Sequence, residues 1–158
     1  MQNQNSENKN AIKQLIKLAE VDSTNKFAAE LIEKNTTGEG TIVVAEFQTQ
    51  GRGQKGKIWK STKGKNLLVS FIYFPSFLSV SDQFLLSKWV ALAVQKTVAD
   101  FTRSEVSIKW PNDIYWQDRK AGGVLIENVV RSSELGVGSW DWSIIGIGIN
   151  INQTVFAS

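Results

Sequence analysis

The chain has no cysteine and no histidine among its 158 residues. Without cysteine it forms no disulfide and has no thiolate nucleophile. Without histidine it lacks the usual general base, any Ser-His-Asp triad and most zinc sites. If it is an enzyme, Lys, Arg, Asp and Glu must carry the chemistry. That favours a reaction in which the substrate brings its own nucleophile and the protein supplies position and positive charge, such as the attack of a carboxylate on the α-phosphate of ATP.

Long apolar runs are missing as well. No stretch of about 18 apolar residues occurs, so we expect no transmembrane helix and no membrane partner. Residues 1–10 are polar and rich in Asn and Gln, which predicts a disordered end and no secretory signal. The remaining residues, 11–158, have the length and composition of one globular domain. The lack of cysteine fits a cytoplasmic location.

Positive charge is concentrated in one stretch, Gly51–Lys65 (GRGQKGKIWKSTKGK), which we call the basic loop. It contains four glycines, six basic residues and no acidic residue, so it carries +6, whereas the whole chain carries +3. Glycines allow a backbone to approach a ligand closely, and clustered cations attract anions. The loop is therefore predicted to hold a phosphorylated or carboxylated ligand; a mobile basic surface loop is the plainer alternative.

Two nucleotide-binding patterns match the start of this loop. Its first three glycines satisfy G-x-G-x-x-G, and residues 51–57 satisfy G-x-x-x-x-G-K. Both patterns require a helix directly after the loop, but residues 58–64 have no helical apolar period. Ile58 stands where a phosphate loop needs Ser or Thr, and the acidic residue expected about 20 positions on does not occur before Asp82. We reject both folds and keep only their shared attraction for anions.

Apolar periodicity predicts seven strands and two helices, and the last three strands are expected to be consecutive and antiparallel. The fold class is therefore α+β, with a mixed, largely antiparallel sheet and helices packed against it. The predicted strands are Leu15–Val21, Thr41–Phe47, Asn66–Phe74, Val106–Trp110, Ile114–Trp116, Lys120–Glu127 and a last strand from Trp140 to Asn152; a turn is expected at Ser132–Gly138.

The first helix is predicted after Asp22 and Ser23, with Phe27, Ala28, Leu31 and Ile32 on one face. The second is predicted from Ser81 and Asp82 to about Phe101. Its core face is expected to contain Phe84, Leu85, Trp89, Leu92, Ala93 and Val98. In the last strand, Gly146 and Gly148 predict close approach of a ligand or another backbone.

Four polar features fall at strand ends or adjacent turns. They are Ser23-Thr24-Asn25, Gln48 with the basic loop, the KWPND sequence at 109–113, and Lys120 before two glycines. Each has a plain reading, such as helix capping, a turn aspartate or a solvated hairpin lysine. Together with GIGIN at 146–150, in this order and spacing, they resemble the catalytic domain of biotin protein ligases over roughly residues 15–152.

This resemblance implies a fold similar to that of class II aminoacyl-tRNA synthetases. It also implies an enzyme that activates biotin with ATP and Mg²⁺ to biotinyl-5′-AMP and transfers biotin to a lysine of a biotin carboxyl-carrier domain of a biotin-dependent carboxylase. Arg52, Lys120 and Asp113 would be catalytic, with Asp113 also serving Mg²⁺. The resemblance assigns biotin contacts to Ser23, Thr24, Asn25, Gln48, Gly51, Arg52, Gly53, Gln54, Lys120 and Gly123. It assigns ATP contacts to Arg52, Lys55, Lys57, Trp59, Asn112, Asp113, Lys120 and Asn150.

The sequence departs from the family in three ways. Gln54 stands where the family's loop commonly has a second arginine, and lysines stand at 55 and 57; Arg and Lys bind phosphate differently. No DNA-binding helix-turn-helix domain precedes the catalytic domain, so we expect no operator binding. The chain ends at Ser158, before the adenine-covering loop, further helices and small barrel usual in the family, so it is expected to be shortened there.

Three alternatives stay open at the sequence level: a lipoate-type ligase, an inactive fragment that still binds biotin, and a nucleic-acid-binding module built on the basic loop. The last would leave Ser23, Asp113 and Lys120 without a role. The oligomeric state is also open, with a homodimer through an exposed strand edge as one outcome.

Overall fold

The structure is a computed structural model that describes residues 13–131 and 138–156. The disorder predicted for residues 1–10 lies outside the described residues, as does nearly all of the turn predicted at Ser132–Gly138. The strands are β1 Gln14–Leu18, β2 Thr41–Ala45, β3 Asn66–Tyr73, β4 Val106–Lys109, β5 Asp113–Trp116, β6 Arg119–Arg131 and β7 Ser139–Asn150. The helices are α1 Thr24–Glu33 and α2 Gln83–Thr102, with short 3-10 turns at Gln54–Gly56 and Val80–Asp82.

All seven strands form one sheet in the order β1-β2-β3-β7-β6-β5-β4. The β1–β2 pair is parallel and every other pair is antiparallel. The expected mixed, largely antiparallel sheet is confirmed, and so is the consecutive antiparallel order of β5, β6 and β7. β-Branched residues make up four of the five residues of β2, which suits a strand that packs side chains on both faces of the sheet.

The two helices pack on opposite faces of this sheet. Ala28 of α1 lies against Val43, Ile72 and Ile144. On the other face, α2 packs against residues that alternate with these along the strands, such as Ile145. Because successive side chains of a strand point to opposite faces, the even-numbered positions of β7 face α1. This α1 face of the sheet carries the site.

The predicted core face of α2 is wrong in part. Phe84, Trp89 and Leu92 are 42%, 45% and 56% exposed, and Ala93 is exposed as well. The buried residues of α2 are Leu86, Ala91, Val94 and Val98. The helix is apolar on nearly all sides, so more than one face satisfies the 3.6-residue period, and only tertiary packing selects between them. None of the helices among the described residues is long and apolar enough to cross a membrane.

Candidate active site

A cavity of about 290 Å³ opens on the α1 face. The N-terminus of α1, the end of β2 and the basic loop form one side. The β4–β5 turn and the neighbouring strands β6 and β7 form the other. A cavity near the lower end of the usual 300–1,000 Å³ range suits one small ligand.

The first wall depends on how α1 begins. Residues 21 and 48 form a parallel bridge that continues the β1–β2 pairing beyond the strands. This brings Gln48 to Thr24, whose backbone N–H and hydroxyl lie 2.7 Å and 3.0 Å from Gln48 Oε1. The side chain of Ser23, the N-cap residue, makes no capping bond. Gln48 therefore satisfies the first free N–H of the helix, a task that helix ends always pose.

The side chain of Asp22, just before the helix, is held on the solvent side of α1, away from the cavity. It accepts hydrogen bonds from Lys26 Nζ (3.1 Å) and Thr49 Oγ1 (3.0 Å). The hydrogen bonds from Lys26 and Thr49, with the positive charge of Lys26, lower the pKa of the Asp22 carboxyl below its usual range. Asp22 thus fastens the strand extension to α1 from the solvent side and stays out of the cavity.

Asn25 is the centre of a buried polar network at the floor of the cavity. Its Oδ1 accepts a hydrogen bond from Ser70 Oγ at 2.6 Å, and its Nδ2 donates to Glu127 Oε2 at 2.7 Å. Ser70 Oγ also lies 2.8 Å from Thr24 Oγ1. Asn25 is 3% exposed and Ser70 is fully buried. Buried polar groups fully bonded in this way rigidify their surroundings.

The basic loop leaves β2, turns sharply and returns along itself. The Gly53 N–H donates to the Lys57 carbonyl at 2.7 Å, and the Trp59 N–H donates to the Gly51 carbonyl at 2.8 Å. At the tip, Lys55 adopts a left-handed backbone with φ 53°. β3 begins at Asn66, the residue after the loop, so the absence of a helix directly after the loop is confirmed.

Two glycines of β7, Gly146 and Gly148, form the floor. A Cβ at Gly148 would lie 2.6 Å from Cε2 of the Trp59 ring, and a Cβ at Gly146 would lie 2.2 Å from Asn25 Oδ1. Among the described residues, the close approach is made by the side chains of Trp59 and Asn25 and not by another backbone. The approach of a ligand to these glycines stays a prediction. The Trp59 ring therefore packs directly on the backbone of Gly148, where any larger residue would clash with it. The Trp59 Nε1 is buried without a hydrogen-bond partner among the described residues.

An ion pair closes the opposite wall. Lys120 Nζ lies 2.7 Å from Asp113 Oδ1 across the β5–β6 hairpin, and both side chains are partly exposed. The same ammonium group is 5.9 Å from the centroid of the Trp59 ring. The N–H of Val124 donates to the Asn112 carbonyl at 3.0 Å, which fixes the KWPND turn against β6. Lys120 thus presents its charge at the boundary between the basic loop and the hairpin.

The structure brings nearly all of the predicted site residues into this one cavity. Its lining includes Ser23, Thr24, Asn25, Gln48, Arg52, Gly53, Gln54, Lys55, Lys57, Trp59, Asn112, Asp113, Lys120 and Gly123. Gly51 and Asn150 lie elsewhere. A Cβ at Gly51 would be 2.3 Å from the Trp59 carbonyl oxygen, so this glycine serves the loop's own pairing. Asn150 donates from Nδ2 to the Lys120 carbonyl at 3.3 Å and lines a neighbouring hollow.

Two polar residues of this region were missed from the sequence, Ser70 and Glu127. Glu127 Oε1 lies 3.0 Å from Arg52 Nη2, while its Oε2 accepts from Asn25. The signal in the sequence was a polar residue inside an otherwise apolar strand. Such a residue needs a partner when it is buried. The partners could not be named, because they are distant in sequence.

Comparison with known proteins gives consistent matches. The sequence model of the Biotin/lipoate A/B protein ligase family matches residues 18–150. The bifunctional ligase/repressor BirA of Bacillus subtilis is 40% identical over 134 residues, which cover 84% of this chain and 39% of that protein. The biotin protein ligase from Aquifex aeolicus in complex with biotin and ATP is 38% identical with a TM-score of 0.71, covering 92% of this chain and 56% of that one.

A lipoate-bound protein, LipL1 of P. falciparum, matches at 12% identity with a TM-score of 0.52, covering 89% of this chain and 48% of that one. This likeness concerns the fold alone. The resemblance to biotin protein ligases and the fold expected from it are confirmed. This chain belongs to the Biotin/lipoate A/B protein ligase family.

Proposed function

We propose that this chain carries the catalytic site of a biotin protein ligase. It would activate biotin with ATP to biotinyl-5′-AMP and pass the biotinyl group to a lysine of an acceptor protein. The family match over residues 18–150 supports this, as does the likeness to an Aquifex aeolicus protein solved with biotin and ATP. The catalytic roles of Arg52, Lys120 and Asp113 are part of the proposal.

The observation that carries the proposal is the position of Lys120 between two hollows. Lys120 and Trp59 line the main cavity, and both also line the neighbouring hollow that contains Asn150. A carboxylate held in the cavity and a phosphate entering from the hollow would therefore meet beside the same ammonium group. A cation at that point offsets the repulsion between the two anions and stabilises the charge that develops as they react.

Both proposed steps balance without a nucleophile from the protein. A carboxylate oxygen of biotin attacks the α-phosphorus of ATP, the bond to the β-phosphate breaks, and pyrophosphate leaves. The neutral amine of the acceptor lysine then attacks the acyl carbon, the bond to AMP breaks, and the amine loses a proton to solvent as the amide forms. Arg52 and Lys120 supply position and positive charge, so the missing histidine and cysteine are no obstacle.

Magnesium is implied by the nucleotide, and the donor set fits it in a limited way. No group of three or more acidic or other metal-binding side chains occurs among residues 13–131 and 138–156. Mg²⁺ commonly needs only one or two carboxylates in addition to substrate phosphates. Asp113 would contribute one carboxylate, since its Oδ1 faces Lys120 and its other oxygen remains for the ion. When bound, the ion would neutralise phosphate charge.

The buried polar wall favours biotin over lipoate as the substrate. Ser23, Thr24 and Asn25 are 2%, 4% and 3% exposed and line the cavity. The ureido ring of biotin offers N–H donors and a carbonyl acceptor to such a wall, whereas the dithiolane ring of lipoate offers none. Thr24 and Asn25 are held in place by hydrogen bonds within the protein, whereas the Ser23 side chain makes no capping bond. A hydrogen bond from the ureido ring to the Ser23 hydroxyl would therefore favour biotin.

Calorimetry with biotin, lipoic acid and a single-stranded oligonucleotide would test the proposal. Biotin is expected to bind saturably and lipoic acid at least tenfold more weakly. Ser23→Ala, which removes a wall hydroxyl that makes no capping bond, should weaken biotin binding by roughly tenfold. Thr97→Val, on the exposed side of α2, should leave it unchanged.

The other outcomes point to the alternatives. Tighter binding of lipoic acid would support a lipoate-type ligase. Oligonucleotide binding that falls steeply with salt, without biotin binding, would support a nucleic-acid module. Biotin binding by a protein that never forms the adenylate would identify a binding fragment.

The acceptor and the assembly are finer points of the same proposal. We propose that the acceptor is the biotin carboxyl-carrier domain of a biotin-dependent carboxylase and that the reaction takes place in the cytoplasm. Biotin transfer to a purified carrier domain, followed as a mass increase of its lysine, would test the first point. Sedimentation of the chain over a concentration series would distinguish a monomer from a homodimer.

A further inference from the structure

We propose that Glu127 is a positioning residue that fastens the basic loop and the N-terminus of α1 to the sheet, so that Arg52 and Asn25 face the cavity together. This inference rests on the proposed function for its ligand but on the structure for its geometry. Glu127 uses both carboxylate oxygens. Oε1 lies 3.0 Å from Arg52 Nη2, and Oε2 accepts from Asn25 Nδ2 at 2.7 Å.

Glu127 approaches its two partners from behind the cavity. Arg52 and Asn25 line the main cavity, but Glu127 does not; it lines a second hollow between the basic loop and β6. A guanidinium group has five N–H donors, and the contact to Glu127 uses Nη2. Its other donors therefore remain for an anion in the cavity. This geometry distinguishes a residue that orients Arg52 from one that occupies the ligand's place.

The strand register explains how a carboxylate reaches this point. Glu127 pairs with Ile144 of β7 and lies on the same face of β6 as Gly123 and Leu125, both of which line the cavity. The Glu127 side chain is 29% exposed. A half-buried carboxylate is costly unless it is paired, and here each oxygen has its own charged or polar donor.

The Arg52–Glu127 ion pair also differs from the other ion pairs in the elements that it connects. Four ion pairs occur in the part of the chain that the structure describes, and the Arg52–Glu127 pair is the one that joins the basic loop to the sheet. The other five cations of the loop are lysines on exposed positions. Loss of Glu127 should therefore loosen the loop while leaving the core packing intact.

Glu127→Gln tests this, with Glu33→Gln at the exposed end of α1 as the control. Tryptic cleavage after Lys55 or Lys57 in the ligand-free protein, read by mass spectrometry, is expected to be roughly three- to tenfold faster in Glu127→Gln than in the control. The dissociation constant for biotin is expected to rise about tenfold, as is typical when an orienting partner is removed. The melting temperature should match that of the control.

The Arg52→Gln background separates positioning from a general structural effect. If Glu127 holds the loop through Arg52, adding Glu127→Gln to Arg52→Gln should change the rate of loop cleavage by less than twofold. Additive effects on loop cleavage in the double variant would overturn the proposal. So would unchanged loop cleavage, or tighter biotin binding, which would make Glu127 a competitor of the ligand.

If no variant, nor the native chain, binds biotin, the proposed function fails. The cleavage rates of the single and double variants would still decide whether Glu127 holds the loop.

Discussion

Gly148→Ala should displace the Trp59 ring from its position against the backbone of β7. The added Cβ would lie 2.6 Å from Cε2, 2.7 Å from Cζ2 and 3.0 Å from Nε1 of the indole. Carbon atoms in good contact are about 3.5–4.0 Å apart, so the ring must retreat by about 1 Å or leave. Overpacking of this kind costs about 1–3 kcal/mol, and we expect the free energy of unfolding to fall by that amount.

Urea unfolding followed by circular dichroism measures this loss. Gly38→Ala is the matched control, because a Cβ there meets nothing within 4 Å; its stability should change by less than about 1 kcal/mol. In a Trp59→Ala background the cost of Gly148→Ala should vanish, since the clash partner is gone. Gly148→Ala as stable as Gly38→Ala, or an equal cost in both backgrounds, would refute the reasoning.

Three further predictions concern the buried polar network, the packed face of α2 and the pH dependence of stability. Ser70→Ala, which leaves Asn25 Oδ1 without its buried donor, should lower the free energy of unfolding by about 1–3 kcal/mol, measured by urea titration. Leu92→Ser, on the exposed side of α2, should stay within about 0.5 kcal/mol of the native chain, whereas Val94→Ala should cost about 2 kcal/mol; equal losses would contradict the observed helix face. Because the folded pKa of Asp22 is lowered, the stability that Asp22 contributes is present above its usual pKa of 3.8 and is lost as pH falls through the folded value; a carboxyl titration by NMR that gives an unshifted pKa would contradict the contact.

Local patterns were enough to predict most of the fold. Continuous apolar, β-branched runs indicated the strands, and Pro75, Pro111 and the glycine-rich turns indicated where strands end. The face of α2 was not predictable in this way. Leu86 and Val94 compete with Phe84, Trp89 and Leu92 for the same helical period, and only the finished sheet decides which of them is covered.

The contents of the site were predicted better than its contacts. The resemblance of the motifs to biotin protein ligases predicted that Arg52, Asp113 and Lys120 share one site, and all three line one cavity. The hydrogen bond from the Thr24 N–H to Gln48 and the pair between Glu127 and Arg52 join segments that are far apart along the chain. Such partners follow from strand register and loop path, which no local pattern contains.

The most direct test is to incubate the chain with biotin, ATP and Mg²⁺ and to measure biotinyl-5′-AMP by mass spectrometry. The native chain and Lys96→Ala, an exposed-lysine control on α2, are expected to form the adenylate at equal rates. Lys120→Ala is expected to form it about 10²–10³-fold more slowly, the usual loss when one charge-stabilising donor is removed. A well-folded native chain that forms no biotinyl-5′-AMP, or a Lys120→Ala variant as active as Lys96→Ala, would contradict the account.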